Sequence, residues 1–131
     1  MNLNEIEHRI FDIQNNLDFE NSAIDIFKYQ YKNCLIYNQY CNLLKVKPNS
    51  IKKIENIPFL PIQFFKTQKI TSGHFKKDIL FTSSGTSGNL TSKHYIKDLG
   101  LYEKSFLTTF KNFYPNWKEY SIIGLLPSYL E

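Results

Sequence analysis

The residues of this chain suited to chemistry concentrate in one stretch, Phe81-Thr82-Ser83-Ser84-Gly85-Thr86-Ser87-Gly88-Asn89-Leu90-Thr91-Ser92-Lys93-His94-Tyr95. The apolar run Ile79-Leu80-Phe81 leads into it and His94-Tyr95-Ile96 leads out, which predicts strand, small-residue loop, strand. Small side chains let a ligand approach the backbone, and glycines open the φ > 0 conformations that turn successive N–H groups to one side. Serine and threonine hydroxyls add donors. The loop therefore suits phosphate oxygens, although the same composition between apolar runs also makes an ordinary turn. The residues alone leave both readings open. Neither common nucleotide fingerprint is present: G-x-x-x-x-G-K-[ST] does not occur, and Gly85 and Gly88 lie three apart with no G-x-G ahead of them.

Other reactive side chains are sparse. Cys34 and Cys41 fall seven apart in a helical pattern, hence on one face about two turns apart. A helical rise of roughly 10 Å over seven residues is too long for a disulfide. They read as small buried hydrophobes, and two thiols without a framework predict a reducing, cytoplasmic setting. His8 and His74 stand alone. Without H-x-x-x-H, C-x-x-C or a carboxylate-rich loop, no metal site is expected.

The elements that must position the loop follow from periodicity. Ile6, Ile10, Ile13 and Leu17 predict a helix over 5–16, capped by Asn4 and broken at Asn15-Asn16 and Asp18. Ser22 with Asp25 resembles a capping box, and Ile24, Phe27, Tyr31, Leu35, Cys41 and Leu44 predict a long helix over 22–45 that stops before Pro48. Asn49 or Ser50 is placed to cap a short helix through Glu55. Pro58 and Pro61 exclude regular helix from Ile57 to Phe65 and predict an extended apolar segment, either a packed crossing or an edge strand, with a role in packing or as a wall for an apolar substrate. Residues 66–77 predict a loop or hairpin. Beyond the central loop, Asp98 is placed to cap a helix carrying Leu99, Tyr102, Phe106, Phe110 and Phe113, ending near Tyr114 before Pro115. Ser121 to Leu126 reads as a buried strand. Strand, helix and strand over 79–126 give an α/β unit.

The 131 residues allow one domain with a true core, and 42% hydrophobic with 21% charged residues suits a globular protein. A formal charge of +4, spread along the chain, does not argue for nucleic acid; Lys52-Lys53 and Lys76-Lys77 read as solvated surface. No apolar run approaches membrane-spanning length. Aromatic residues make up 16%, much for so few strands, so the chain is expected to be the front part of a longer protein.

Ser83-Ser84-Gly85-Thr86-Ser87-Gly88 resembles the phosphate-loop motif of adenylate-forming enzymes, which reads roughly [ST]-S-G-[ST]-[ST]-G-x-P-K. More closely the chain resembles the acyl-protein synthetases, the ATP-dependent component of the bioluminescence fatty acid reductase. The resemblance rests on Ile57-Pro58-Phe59-Leu60-Pro61 running into Phe64-Phe65-Lys66, on the loop, on Ser92-Lys93-His94-Tyr95 followed by Asp98 and Tyr102, and on the terminal Leu125-Leu126-Pro127-Ser128-Tyr129-Leu130-Glu131. It implies the N-terminal part of an AMP-binding domain over 1–131: mostly helical over 1–56, α/β over 57–131, with the phosphate loop at 82–93.

The implied reaction joins a fatty or other carboxylic acid and ATP into an acyl-adenylate, then passes the acyl group to a protein thiol and on to a reductase partner. Ser83, Ser84, Gly85, Thr86, Ser87 and Gly88 would hold the ATP phosphates, Lys93 would face the departing pyrophosphate, and His94 would line the nucleotide or acyl pocket. Lys93 stands two positions beyond the lysine of the wider motif, and Leu90 replaces its proline. The Tyr-Gly-x-Thr-Glu segment, whose glutamate helps hold magnesium, is absent, as are the ribose-binding aspartate and the catalytic lysine of the smaller domain. Neither Cys34 nor Cys41 matches the acyl-carrying cysteine. The fragment is therefore expected not to catalyse adenylation alone. The other readings are a different acyl- or aryl-acid ligase of the same superfamily, and a helical interaction module whose Ser/Gly loop is only a turn.

Overall fold

The computed structural model describes residues 3–83, 91–121, 123 and 124. It is mixed α and β: five helices and a two-stranded antiparallel sheet among the described residues. The chain divides into two compact units, residues 1–99 and 100–131.

The first helix, α1 (Leu3–Arg9), is shorter than its periodicity predicts. It buries Ile6 and ends where Arg9 turns its guanidinium to Asp25, 3.0 Å away. The Asn15-Asn16 pair starts the next helix instead of ending the first. The Asn15 side chain accepts the Asp18 N–H at 3.0 Å, making it the N-cap of α2 (Asn16–Asn33). The predicted start at Ser22 is therefore corrected: Ser22 is buried inside α2.

The single long helix expected over 22–45 is two helices. Cys34, at φ −106° and ψ 105°, is extended, and α3 (Leu35–Leu43) follows it directly. The carbonyls orphaned by this break find other donors. The Asn38 side-chain amide bonds the Tyr31 carbonyl at 2.9 Å, and the Gly73 N–H bonds that of Asn33 at 2.8 Å. The end of α3 is a Schellman turn: Val46 N–H to Cys41 carbonyl at 2.9 Å and Lys45 N–H to Asn42 carbonyl at 3.0 Å, with Lys45 at φ +59°.

The break lets α2 and α3 pack on each other around the core of the first unit. Phe27, Cys34, Tyr37, Cys41 and Ile51 are its buried members, and the Phe27 and Tyr37 rings meet edge to face at 6.1 Å. Two 3₁₀ turns, Pro48–Ser50 and Ile54–Asn56, replace the short helix expected there. The proline segment then crosses the core as anticipated, fixed by the Tyr37 hydroxyl donating to the Pro58 carbonyl at 2.6 Å. It gives way to a one-turn helix, α4 (Phe64–Thr67), so Phe64 and Phe65 are helical and not extended. Residues 68–78 are irregular.

Strands β1 (Ile79–Thr82) and β2 (Lys93–Ile96) pair in the register Ile79–Ile96, Leu80–Tyr95, Phe81–His94 and Thr82–Lys93. Helix α5 (Leu99–Phe113) starts at the last residue of the first unit and ends as expected, with Tyr114 N–H on the Phe110 carbonyl at 2.9 Å and a 3₁₀ turn at Trp117–Glu119. The Leu99 N–H at its start is accepted by the Asp78 carboxylate at 3.0 Å. The strand expected over 121–126 lies largely outside the described residues; Ser121, Ile123 and Gly124 are irregular.

Candidate functional site

The hairpin fixes the two ends of the central loop. Beyond the last paired residues, the Ser83 N–H bonds the Ser92 carbonyl at 3.1 Å, and the Ser92 N–H bonds the Ser83 Oγ at 3.0 Å. Ser92 is buried while Ser83 is exposed. Ser83 Oγ accepts at this neck, which leaves its own O–H free to donate outward. Lys93 opens β2 opposite Thr82, with its side chain exposed. A fixed neck and a spare hydroxyl proton suit a phosphate, and the adjoining strand adds an exposed ammonium. Ser84, Gly85, Thr86, Ser87 and Gly88, the other candidate phosphate ligands, lie outside the described residues.

Strand alternation separates the two faces of the hairpin. His94 is on one face, opposite Phe81, and its ring stacks on Phe65 at 5.2 Å with 18° between planes. Lys93 and Tyr95 are on the other. The His94 contact anchors α4 to β2 and carries the site inward, because Phe65 also lines a cavity of about 350 Å³. Phe27, Cys34, Tyr37, Pro58 and Leu60 form much of its remaining wall, and Gln30 and Ser72 add polar atoms. The proline segment is thus a wall of an apolar cavity as well as a packed crossing.

Of the two cysteines in this region, Cys41 is a poor nucleophile. Both are free and buried, and Cys41 is fully enclosed. Burial pushes the Cys41 thiol up, partly countered by the neighbouring Tyr37 hydroxyl. The Tyr37 phenol is itself pushed up, by burial first and then by the neighbouring Cys41. Among the described residues no three metal-ligating side chains gather, and no helix is long and apolar enough to cross a membrane.

The sequence motif pointed to Ser83, Lys93 and His94; the hairpin holds all three at one end of one sheet, with Lys93 and His94 on opposite faces. Sequence reasoning did not single out Phe65 as the link to a cavity. Its traces in the sequence were its place in Phe64-Phe65-Lys66 and at the end of the Ile57–Phe65 segment offered as a wall for an apolar substrate.

A family model described as "Acyl-protein synthetase, LuxE" matches residues 9–120. The chain is 42% identical over 67 residues to a long-chain-fatty-acid–luciferin-component ligase of Photorhabdus luminescens. That alignment takes in 50% of this chain and 57% of the relative, so the chain spans little more than half of the curated relative it matches. No solved structure matches.

Proposed function

The chain belongs to the acyl-protein synthetase family, and from that premise we propose that it carries the phosphate-binding part of an enzyme that activates a fatty acid with ATP and transfers the acyl group to a protein thiol. In this reading residues 1–131 are the front of an adenylate-forming domain. The fatty carboxylate oxygen attacks the α-phosphorus of ATP, pyrophosphate leaves, and an acyl-adenylate forms. A thiolate then attacks the acyl carbonyl and AMP leaves. The enzyme would work in the cytoplasm, with an acyl-acceptor or reductase protein as partner and Mg²⁺ accompanying ATP.

The observation that carries the reading is the position of Phe65. One face of its ring stacks on His94, at the strand that closes the phosphate loop, and the same side chain lines the apolar cavity. A chain of methylenes in that cavity gains about 0.8 kcal/mol for each group buried, and its carboxylate end is then directed toward the hairpin. Ser83 Oγ–H, Lys93 and the loop residues Ser84 to Gly88 meet the phosphate charge, and fixed donors of that kind stabilise charge developing on the departing pyrophosphate. Cys34 and Cys41 take no part in transfer in this reading: neither matches the acyl-carrying cysteine, and Cys41 is fully enclosed in the core.

Fatty-acid-dependent exchange of labelled pyrophosphate into ATP by the full-length protein tests the reading. Exchange should fall about a hundredfold in Thr86→Ala, the order of loss expected for one donor to a developing charge. Phe65→Ala should raise KM for long-chain acids while leaving short acids little changed. Exchange that does not require the acid, or that survives Thr86→Ala and Gly85→Ala together, contradicts it.

A further inference from the structure

The opposite face of the hairpin carries a second feature that the adenylation reading does not use. A recess of about 230 Å³ lies between the irregular segment 68–78 and β2, lined by Lys69, Thr71, Gly73, His74, Phe75, Lys77 and Tyr95. Lys69 Nζ and Lys77 Nζ both stand over the Tyr95 ring, 5.4 and 5.9 Å from its centre. The ring's negative face accounts for part of this convergence. Two ammonium groups drawn to one ring still repel each other, and neither takes part in an ion pair among the described residues. Among the described residues no carboxylate lines the recess. Its wall is also fixed in place. Gly73, at φ +86°, turns the chain, and its N–H is tied to the Asn33 carbonyl at the end of α2.

We infer that this recess is a second anion site, taking a phosphoryl group of a small phosphorylated ligand, with Lys69 and Lys77 as its charges and Thr71 and His74 as hydrogen-bonding groups. Lys93 lies two residues from Tyr95 on the same strand face, roughly 7 Å along it, so the positive surface continues from the recess to the loop. The inference stands without the adenylation reading, since it needs only the described residues of the first unit. The phosphoryl group has two possible sources: the phosphate chain of a nucleotide held by the loop, or a separate phosphorylated ligand.

The test is titration of the purified chain with inorganic pyrophosphate, followed by amide chemical shifts of Thr71, Gly73, His74 and Tyr95. The expected result is a saturable shift at these four amides, weakened by added salt. Lys69→Gln and Lys77→Gln should each lower affinity about tenfold, the loss of one charged hydrogen bond, while Lys118→Gln in the second unit leaves it unchanged. Both target lysines are exposed, and unshifted amides of α2 and α3 report that the variants stay folded. The same titration with ATP on a Gly85→Ala, Thr86→Ala chain separates the sources. Loss of the recess shifts with the loop assigns the phosphoryl group to the loop nucleotide; retention assigns it to a separate ligand. No saturable shift at the four amides, or an affinity unchanged in the double Lys69→Gln, Lys77→Gln chain, overturns the site.

Discussion

Ser83 belongs to the proposed phosphate loop, and it also closes the neck of that loop by accepting the Ser92 N–H. Ser83→Ala removes that acceptor beside a buried residue and should cost about 1–2 kcal/mol, read as a lower melting temperature with faster amide exchange at Ser92. Ser83→Thr keeps an oxygen in place and should restore most of it. The motif made Ser83 legible as a candidate ligand, but its clamp on Ser92 depends on strand register, which the spacing alone did not specify. Cys41 and Tyr37 give a second residue-scale prediction. Both groups hold their protons more tightly folded than unfolded, because burial disfavours the charged forms. Their contribution to stability is complete below the ordinary thiol and phenol values, about 8.5 and 10, and is lost as pH rises from there toward the raised folded values. Melting temperature should therefore fall with pH from about 9 upward, with a smaller fall in Tyr37→Phe. Cys34 and Cys41 should alkylate slowly in the folded chain and rapidly in denaturant. Fast labelling at neutral pH would contradict their burial.

The helices show where local pattern stops specifying structure. Periodicity located α5 closely, because Leu99, Tyr102, Phe106, Phe110 and Phe113 keep one face and Pro115 marks the stop. Around residue 34 the same pattern ran on, yet the helix breaks. The break is held by Asn38 on the Tyr31 carbonyl and by Gly73 on that of Asn33; the second partner is far away in sequence. At residues 15 and 16 the asparagines were read as a breaker, although a breaker for one helix is also a cap for the next. Asn15→Ala should cost about 1 kcal/mol, visible as lost helical signal and a lower urea midpoint. Lys45 occupies the left-handed position of the turn after α3. Lys45→Gly relieves that conformation and should stabilise the chain by about 1 kcal/mol; a destabilised Lys45→Gly would contradict the Schellman assignment.

At the scale of the molecule, the first unit joins an apolar cavity, a paired hairpin and a basic recess through a few side chains, chiefly Phe65, His94 and Tyr95. The sequence announced the two strands on either side of the small-residue stretch. It did not announce the cavity, which forms only when the proline segment crosses α2 and α3, nor the recess; Lys77 is exposed, as read, and also lines it. The second unit keeps Tyr102, Phe106 and Phe113 at least two-fifths exposed along α5, and its own rings gather around Phe110 and Tyr114. The chain spans little more than half of its Photorhabdus relative, and on the adenylation reading residues 1–131 alone hold only part of the ATP site. They should give no ATP-dependent acyl hydroxamate, whereas the full-length protein should. The most direct measurement is titration of the folded chain with ATP, followed by amide chemical shifts. The account predicts saturable shifts centred on Ser83 to Gly88 and reaching Lys93, lost in the Gly85→Ala, Thr86→Ala chain. Shifts absent from Ser83 to Gly88 at millimolar ATP would contradict the loop as a phosphate cradle.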